Sequence, residues 1–219
     1  MRLPRLVYLS VVICLFTAPS SADPITLSST SALGLENQRL DPQDHVAIGK
    51  LVCCRFFNGM LTFDIPDNLG TITDASLQLV IYLSHFTIEF MDPIETVYLN
   101  IFDITDPQAA YDELFEDMGS GTLLGSRPYV LEDGGPGTTQ TINLNADGLA
   151  YLREGDMVNL GLSMTGMRAT RERFLSFEPT AYLTLQVPEP STAILLISGM
   201  VLLGVRRRRH HTSPNRHTS

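Results

Sequence analysis

Apolar and polar residues alternate with period two along much of the chain, and the alternation predicts a protein built from short β-strands. Phe57, Leu61, Phe63 and Ile65 fall on one face of such a strand, and Asn58, Met60, Thr62 and Asp64 on the other. Gly59 sits on the apolar side, where a bulge or a close backbone contact can use it. After a turn at Pro66-Asp67-Asn68-Leu69-Gly70, the pattern resumes with Leu77, Leu79, Ile81 and Leu83. Val97, Leu99 and Ile101 give a third strand, Ile142 and Leu144 a shorter one, and Val158, Leu160, Leu162 and Met164 another. Ala181, Leu183, Leu185 and Val187 close the series. Weaker patterns lie at Ile25 to Ala32, Val46 to Lys50, Leu123 to Val130 and Phe174 to Phe177. About seven to ten short strands separated by Gly, Pro and Asp turns predict an all-β fold, a jelly-roll-like antiparallel β-sandwich.

Two short helical turns interrupt the strands. Asp106 suits an N-cap, with Pro107 at the first helical position, Asp112, Glu113, Glu116 and Asp117 on a solvated face and Gly119 as terminator. Asn145 to Glu154, with Leu149 and Leu152 on one side and Gly155 just beyond, follows the same logic.

Both ends of the chain break the alternation. Arg2 and Arg5 precede an uncharged run from Leu6 to Phe16, and Ser20-Ser21-Ala22 places small residues where a signal peptidase reads them. Residues 1–22 therefore read as a secretory signal peptide cut between Ala22 and Asp23. Cys14 is preceded by Val12-Ile13 rather than by a small residue, which argues against a lipoprotein. At the other end Ala193 to Val205 carries no charge, and Arg206, Arg207, Arg208 and Arg209 follow directly. A helix crossing ~30 Å of hydrocarbon takes ~20 apolar residues, so this run spans only with its flanks in the interface and the arginine stems snorkelling. Four arginines resist translocation and should stay cytoplasmic, which leaves Asp23 to Gln186 outside and His210 to Ser219 inside. Pro188-Glu189-Pro190, just before the run, cannot enter a helix or a central strand and should be extended and exposed.

The tripartite order of Val187, Pro188, Glu189, Pro190, Ser191 and Thr192, then the apolar run, then Arg206 to Arg209 resembles the PEP-CTERM sorting signal of bacterial surface proteins. The resemblance implies sorting by an exosortase, a membrane-embedded cysteine transpeptidase that cleaves near the Pro-Glu-Pro. It also implies export through the Sec translocon, with removal of the leader by signal peptidase. The tail His210 to Ser219 departs from the family's usual ending immediately after the arginines.

A second resemblance lies inside the domain. Phe57-Asn-Gly-Met-Leu-Thr-Phe-Asp-Ile-Pro66 followed by Gly70-Thr-Ile-Thr-Asp-Ala-Ser-Leu-Gln-Leu79 is similar to the opening of DNRLRE-type β-sandwich modules of secreted bacterial proteins. Asn100-Ile-Phe-Asp-Ile-Thr105, Gly119 to Ser126 and Ile142 to Ala146 agree with it. The resemblance runs from about Phe56 to Leu185. It implies a fold and, by analogy with some relatives, contact with polysaccharide.

Charge narrows the partners. Residues 23–186 hold 8 Lys and Arg against 23 Asp and Glu, a net of −15, because seven basic residues belong to the two ends. Such a domain is repelled by nucleic acid and by anionic membrane surfaces. Cys53 and Cys54 are adjacent, and in a strand they point to opposite faces, which argues against a bond between them.

No known catalytic constellation emerges. The sequence lacks G-x-S-x-G, H-E-x-x-H, a P-loop and a dinucleotide fingerprint. His45 and His85 stand apart, and the acidic helix face lacks the alternating ligands of a Ca²⁺ loop, so neither a metal nor a cofactor is expected. There is no Trp, and Tyr82, Tyr98, Tyr111, Tyr129, Tyr151 and Tyr182 are the tyrosines available for sugar stacking. The leading expectation is a non-catalytic surface or matrix protein. A carbohydrate-binding module for exopolysaccharide is the alternative, and a hydrolase with two carboxylates about 5 to 9 Å apart across a cleft the third class.

Overall fold

Antiparallel pairing between segments far apart in sequence organises the domain. The computed structural model describes residues 23–37, 39–41, 46–51, 55–67, 69–86, 96–129, 135–166 and 173–188. Its elements are β1 (Ile25–Ser28), β2 (Ser31–Glu36), β3 (Arg39–Asp41), β4 (Val46–Leu51), β5 (Arg55–Asp64), β6 (Asp74–Phe86) and β7 (Val97–Asp103). Helix α1 (Tyr111–Met118), β8 (Leu123–Tyr129), β9 (Thr139–Asn143), α2 (Ala146–Tyr151), β10 (Met157–Thr165), β11 (Arg173–Phe177) and β12 (Tyr182–Gln186) complete them. Asp23–Val187 forms a compact unit.

The sheet runs β1-β12-β6-β11-β4-β5-β10-β7-β8, with β2 and β9 branching from β5 and β6. Strand β6 is long enough to serve two partner sets: Ser76 to Val80 pair with β9, Asp74 to Gln78 with β12, and Ile81 to Phe86 with β11. A register shift between Ser176 and Phe177 sits where the partners change. Bulges of this kind bend a strand and add twist, so one antiparallel sheet curls over itself into a sandwich-like body. The enclosed core gathers Val46, Leu61, Phe63, Leu77, Leu79, Ile101, Leu160, Leu175, Phe177 and Leu183. These are the inward positions that the alternation marks on each strand.

Several details depart from the expected pattern. Leu83, expected inward with Leu77, Leu79 and Ile81, is exposed beyond the register shift of β6. Phe57 leaves the face of Leu61 and Phe63 and packs with Ala47 and Phe174, its ring edge-on to Phe174 at 5.0 Å. Its partner across the ladder is Gly49, with φ of +114° and its Cα facing the Arg173 carbonyl so closely that a Cβ would lie 2.2 Å from the oxygen. The backbone irregularity at this pair separates Phe57 from the main core. Met60, expected on the polar face, is buried with Leu35, Ile104, Leu114 and Met118, because α1 covers that side of β5. The described residues form twelve strands, since the weak segment from Ile25 onward resolves into β1 and β2 and the short β3 follows.

Helix α1 begins at Tyr111, behind Ala110, which makes no side-chain cap. Asp106 instead closes the preceding turn, its Oδ1 accepting from Gln108 N at 2.9 Å. Asp117 is half-buried rather than solvated, and its Oδ2 accepts from Thr105 N at 2.7 Å, fastening that turn to the helix. Gly119 follows the last helical residue, as its position predicts. Helix α2 starts at the cap that the sequence marks, with Asn145 Oδ1 accepting from Gly148 N at 2.8 Å. No helix among the described residues is long and apolar enough to cross a membrane, and the run 193–205 lies outside them.

Candidate functional site

The chain leaves the domain through β12, one strand in from the edge of the sheet. In β12, Leu183 and Leu185 face the core, while Tyr182, Thr184 and Gln186 face outward. The strand is held on both sides, by β1 through pairs such as Ile25 with Leu185 and by β6 through pairs such as Gln186 with Asp74. At its start, Ser29 N donates to the Ala181 carbonyl at 2.9 Å and Ala181 N to Ser29 Oγ at 3.0 Å. At its end, the Gln186 carbonyl accepts from Thr73 N at 2.8 Å and from Thr73 Oγ1 at 3.2 Å. Val187 is half-buried against the core, with its Cγ1 3.1 Å from where a Cβ would stand on Gly70.

Asp23 and Pro188 are both exposed, and each lies a few residues from the Ile25–Leu185 pair. The first residue after the expected leader and the first proline of the Pro-Glu-Pro therefore emerge from neighbouring strands. Ala22, Glu189, Pro190, Ser191, Thr192, the apolar run and Arg206, Arg207, Arg208 and Arg209 lie outside the described residues. The anchoring by Thr73, Gly70 and Gln186 is absent from the sequence reading. Its only sequence trace is that the alternation of β12 continues one step further, to Val187.

The outer face of β1, β12, β6 and β9 is a second surface with a definite chemistry. Register aligns Thr26, Thr184, Ser76 and Asn143 in one row across the four strands, and Ser28, Tyr182, Gln78 and Thr141 in the next. All eight are exposed or half-exposed, and none is charged. Tyr82, 58% exposed, lies further along β6 on the same alternation. Tyr98 is exposed elsewhere, on β7, while Tyr129 is buried in the core. Tyr151 is half-buried, with its hydroxyl 3.2 Å from the Ile104 carbonyl and 3.1 Å from the Asn159 carbonyl. Burial is the main cause that holds its phenol above the usual range.

Asp67 and Asp156 form no cleft of the glycosidase kind. Asp67 and Asp156 line a shallow pocket of about 180 Å³ with Leu69, Ile72, Leu152 and Glu154. The hydrogen bond between the two carboxyls, and next the charge of Asp67, raise Asp156 above the ordinary carboxylate range. Carboxyls in mutual contact leave no room for the water or glycosidic oxygen that must sit between such a pair. Among the described residues, no three His, Cys, Asp or Glu converge to hold a metal. His45 and the Cys53-Cys54 pair lie outside the described residues, as does the side chain of His85.

The family whose sequence model matches the chain is described as the PEP-CTERM protein-sorting motif, over residues 186–209. The chain carries that sorting motif, and the motif supports an exported, cell-surface fate. None of the curated proteins matches the chain.

Proposed function

We propose that residues 23–186 form the mature domain of a surface or extracellular-matrix protein. Residues 1–22 serve as a leader for the Sec translocon, and signal peptidase removes them between Ala22 and Asp23. The segment 187–209 then holds the domain at the inner membrane through the helix 193–205, with 210–219 in the cytoplasm. An exosortase cuts near Pro188-Glu189-Pro190 and passes the domain outward into the exopolysaccharide layer. The domain itself is a DNRLRE-like, jelly-roll-like sandwich, a reading supported by the position of the Phe57–Pro66 and Gly70–Leu79 stretches on β5, the following turn and β6. The observation that carries the proposal is the motif's start at Gln186, the last paired residue of the domain, with Pro188 exposed directly after it. Intact mass of the protein from membrane, surface and medium fractions tests it. A species starting at Asp23 and ending near Pro190 is expected outside the membrane. A species that keeps Arg206 to Ser219 and occurs only in the membrane overturns it.

The two uncharged rows on the outer face of β1, β12, β6 and β9 favour a second role for the same domain, as a carbohydrate-binding module. Hydroxyl and amide side chains in rows, with tyrosine rings at the side, suit a neutral polysaccharide better than a polyanion in a domain of net charge −15. Retention of the domain on immobilised neutral glucan, lost in a Tyr82→Ala, Tyr182→Ala variant, is the expected result.

A further inference from the structure

The sorting motif overlaps the folded domain instead of following it. Its first residue, Gln186, is the last paired residue of β12, and its second, Val187, is packed against the core edge beside Gly70. Proteases and transpeptidases bind their substrates as extended, unpaired segments, so residues committed to a sheet become available only when that sheet opens. Here no slack separates the body from Pro188. An enzyme that grips Pro188-Glu189-Pro190 meets Val187 and β12 immediately upstream, and β12 is bonded to strands on both sides.

We propose that Thr73 is a positioning residue for the processing reaction. Its N–H and hydroxyl both bond the Gln186 carbonyl, and together with the Val187 packing they clamp the head of the sorting motif to the domain. The exosortase acts on the state in which this clamp has opened, and the opening equilibrium sets the processing rate. The proposal rests on the reading of the chain as an exosortase substrate. Opening costs only the end of one strand, because Leu185 and the residues before it stay paired to both neighbours. The released protein therefore keeps a complete β12 and ends at Pro188 or beyond.

Three full-length chains, expressed in a host with its own exosortase and a reference PEP-CTERM substrate, test the clamp by pulse-chase and intact mass. They are the wild type, Thr73→Pro, and an insertion of Gly-Ser-Gly-Ser between Val187 and Pro188. Thr73→Pro removes both bonds to Gln186 and should raise the processing rate at least about fivefold, the change expected for the loss of one of them at an opening step. The insertion leaves every residue of the domain unchanged and supplies the missing slack, so it should raise the rate at least as much even if Thr73→Pro folds poorly. Its product should still end at or after the Pro-Glu-Pro. Equal rates for wild type and insertion, or a wild-type product ending at or before Val187, would overturn the clamp. Failure of all three chains to be processed while the reference is cut would instead overturn the exosortase reading.

Discussion

Ser176 holds its hydroxyl fully buried in β11 with no hydrogen-bond partner among the described residues. An unsatisfied buried hydroxyl costs roughly 1–3 kcal/mol relative to a satisfied one, and deleting it removes that cost with little change in volume. Ser176→Ala should leave the domain as stable or up to about 2 kcal/mol more stable in urea melts; a clear loss of stability would reveal a bond to the hydroxyl. Asp156 gives a pH-dependent counterpart. Because its folded pKa lies above the unfolded value, the folded state binds the proton more tightly, and stability falls as pH rises through the carboxylate range. Asp156→Asn should therefore melt at a higher temperature than wild type at pH 7, with the difference shrinking as pH falls below the unfolded pKa. A constant difference across pH would show that the contact with Asp67 does not carry the effect. Neither residue stands out in the sequence. Ser176 is a serine in an apolar run, and Asp67 and Asp156 meet only because the loop after β5 folds against the start of β10.

At the scale of elements, the docking of α1 on the sheet is the step least visible in the sequence. Gly161, in the middle of β10, lies under the end of the helix, where a Cβ would stand 2.7 Å from the Met118 carbonyl oxygen. Gly161→Ala should force the helix off β5 and β10 and destabilise the domain by about 1–3 kcal/mol, as overpacking does. Asn145→Ala, which removes the cap of α2, should cost about 1 kcal/mol. Equal melting temperatures for wild type and Gly161→Ala would mean that α1 is not seated as the geometry requires. The strands were legible because alternation reports directly which side chains face a core, and Leu61, Phe63, Leu77, Leu79, Leu183 and Leu185 all enter it. Met60 and Phe57 were not, because period two assigns a face without saying what covers it or where the ladder is irregular. The motif at the exit was legible as a word, Pro-Glu-Pro before an apolar run. Its clamp was not, since Thr73 and Gln186 are 113 residues apart in the chain and meet only through the β6–β12 register.

For the whole molecule, charge bears on the two ends that break the strand pattern. Around the exit stand Asp23, Asp67, Asp74, Glu154 and Asp156 with Arg153 among them, so the end of the domain from which the sorting motif leaves is acidic. Anionic headgroups repel such a surface, and the domain contributes no attraction of its own to the membrane. Under the proposed function, retention of the precursor then rests on the run 193–205 and the arginines after it. That run has thirteen residues, well short of the ~20 that span a bilayer unaided, so the arginines must do more than mark topology. Each costs about 2.5–3.5 kcal/mol to place within the hydrocarbon, and four in succession block passage of the tail. Changing Arg206, Arg207, Arg208 and Arg209 to Ser should let the tail pass, so that a full-length species ending at Ser219 appears in the medium while the membrane-held precursor disappears. Mass of the medium fraction and the membrane fraction reads the outcome. Continued retention of the quadruple variant would mean that the apolar run, or the domain, holds the membrane by some other contact, and the acidic exit would then need a cationic partner at the membrane to explain it.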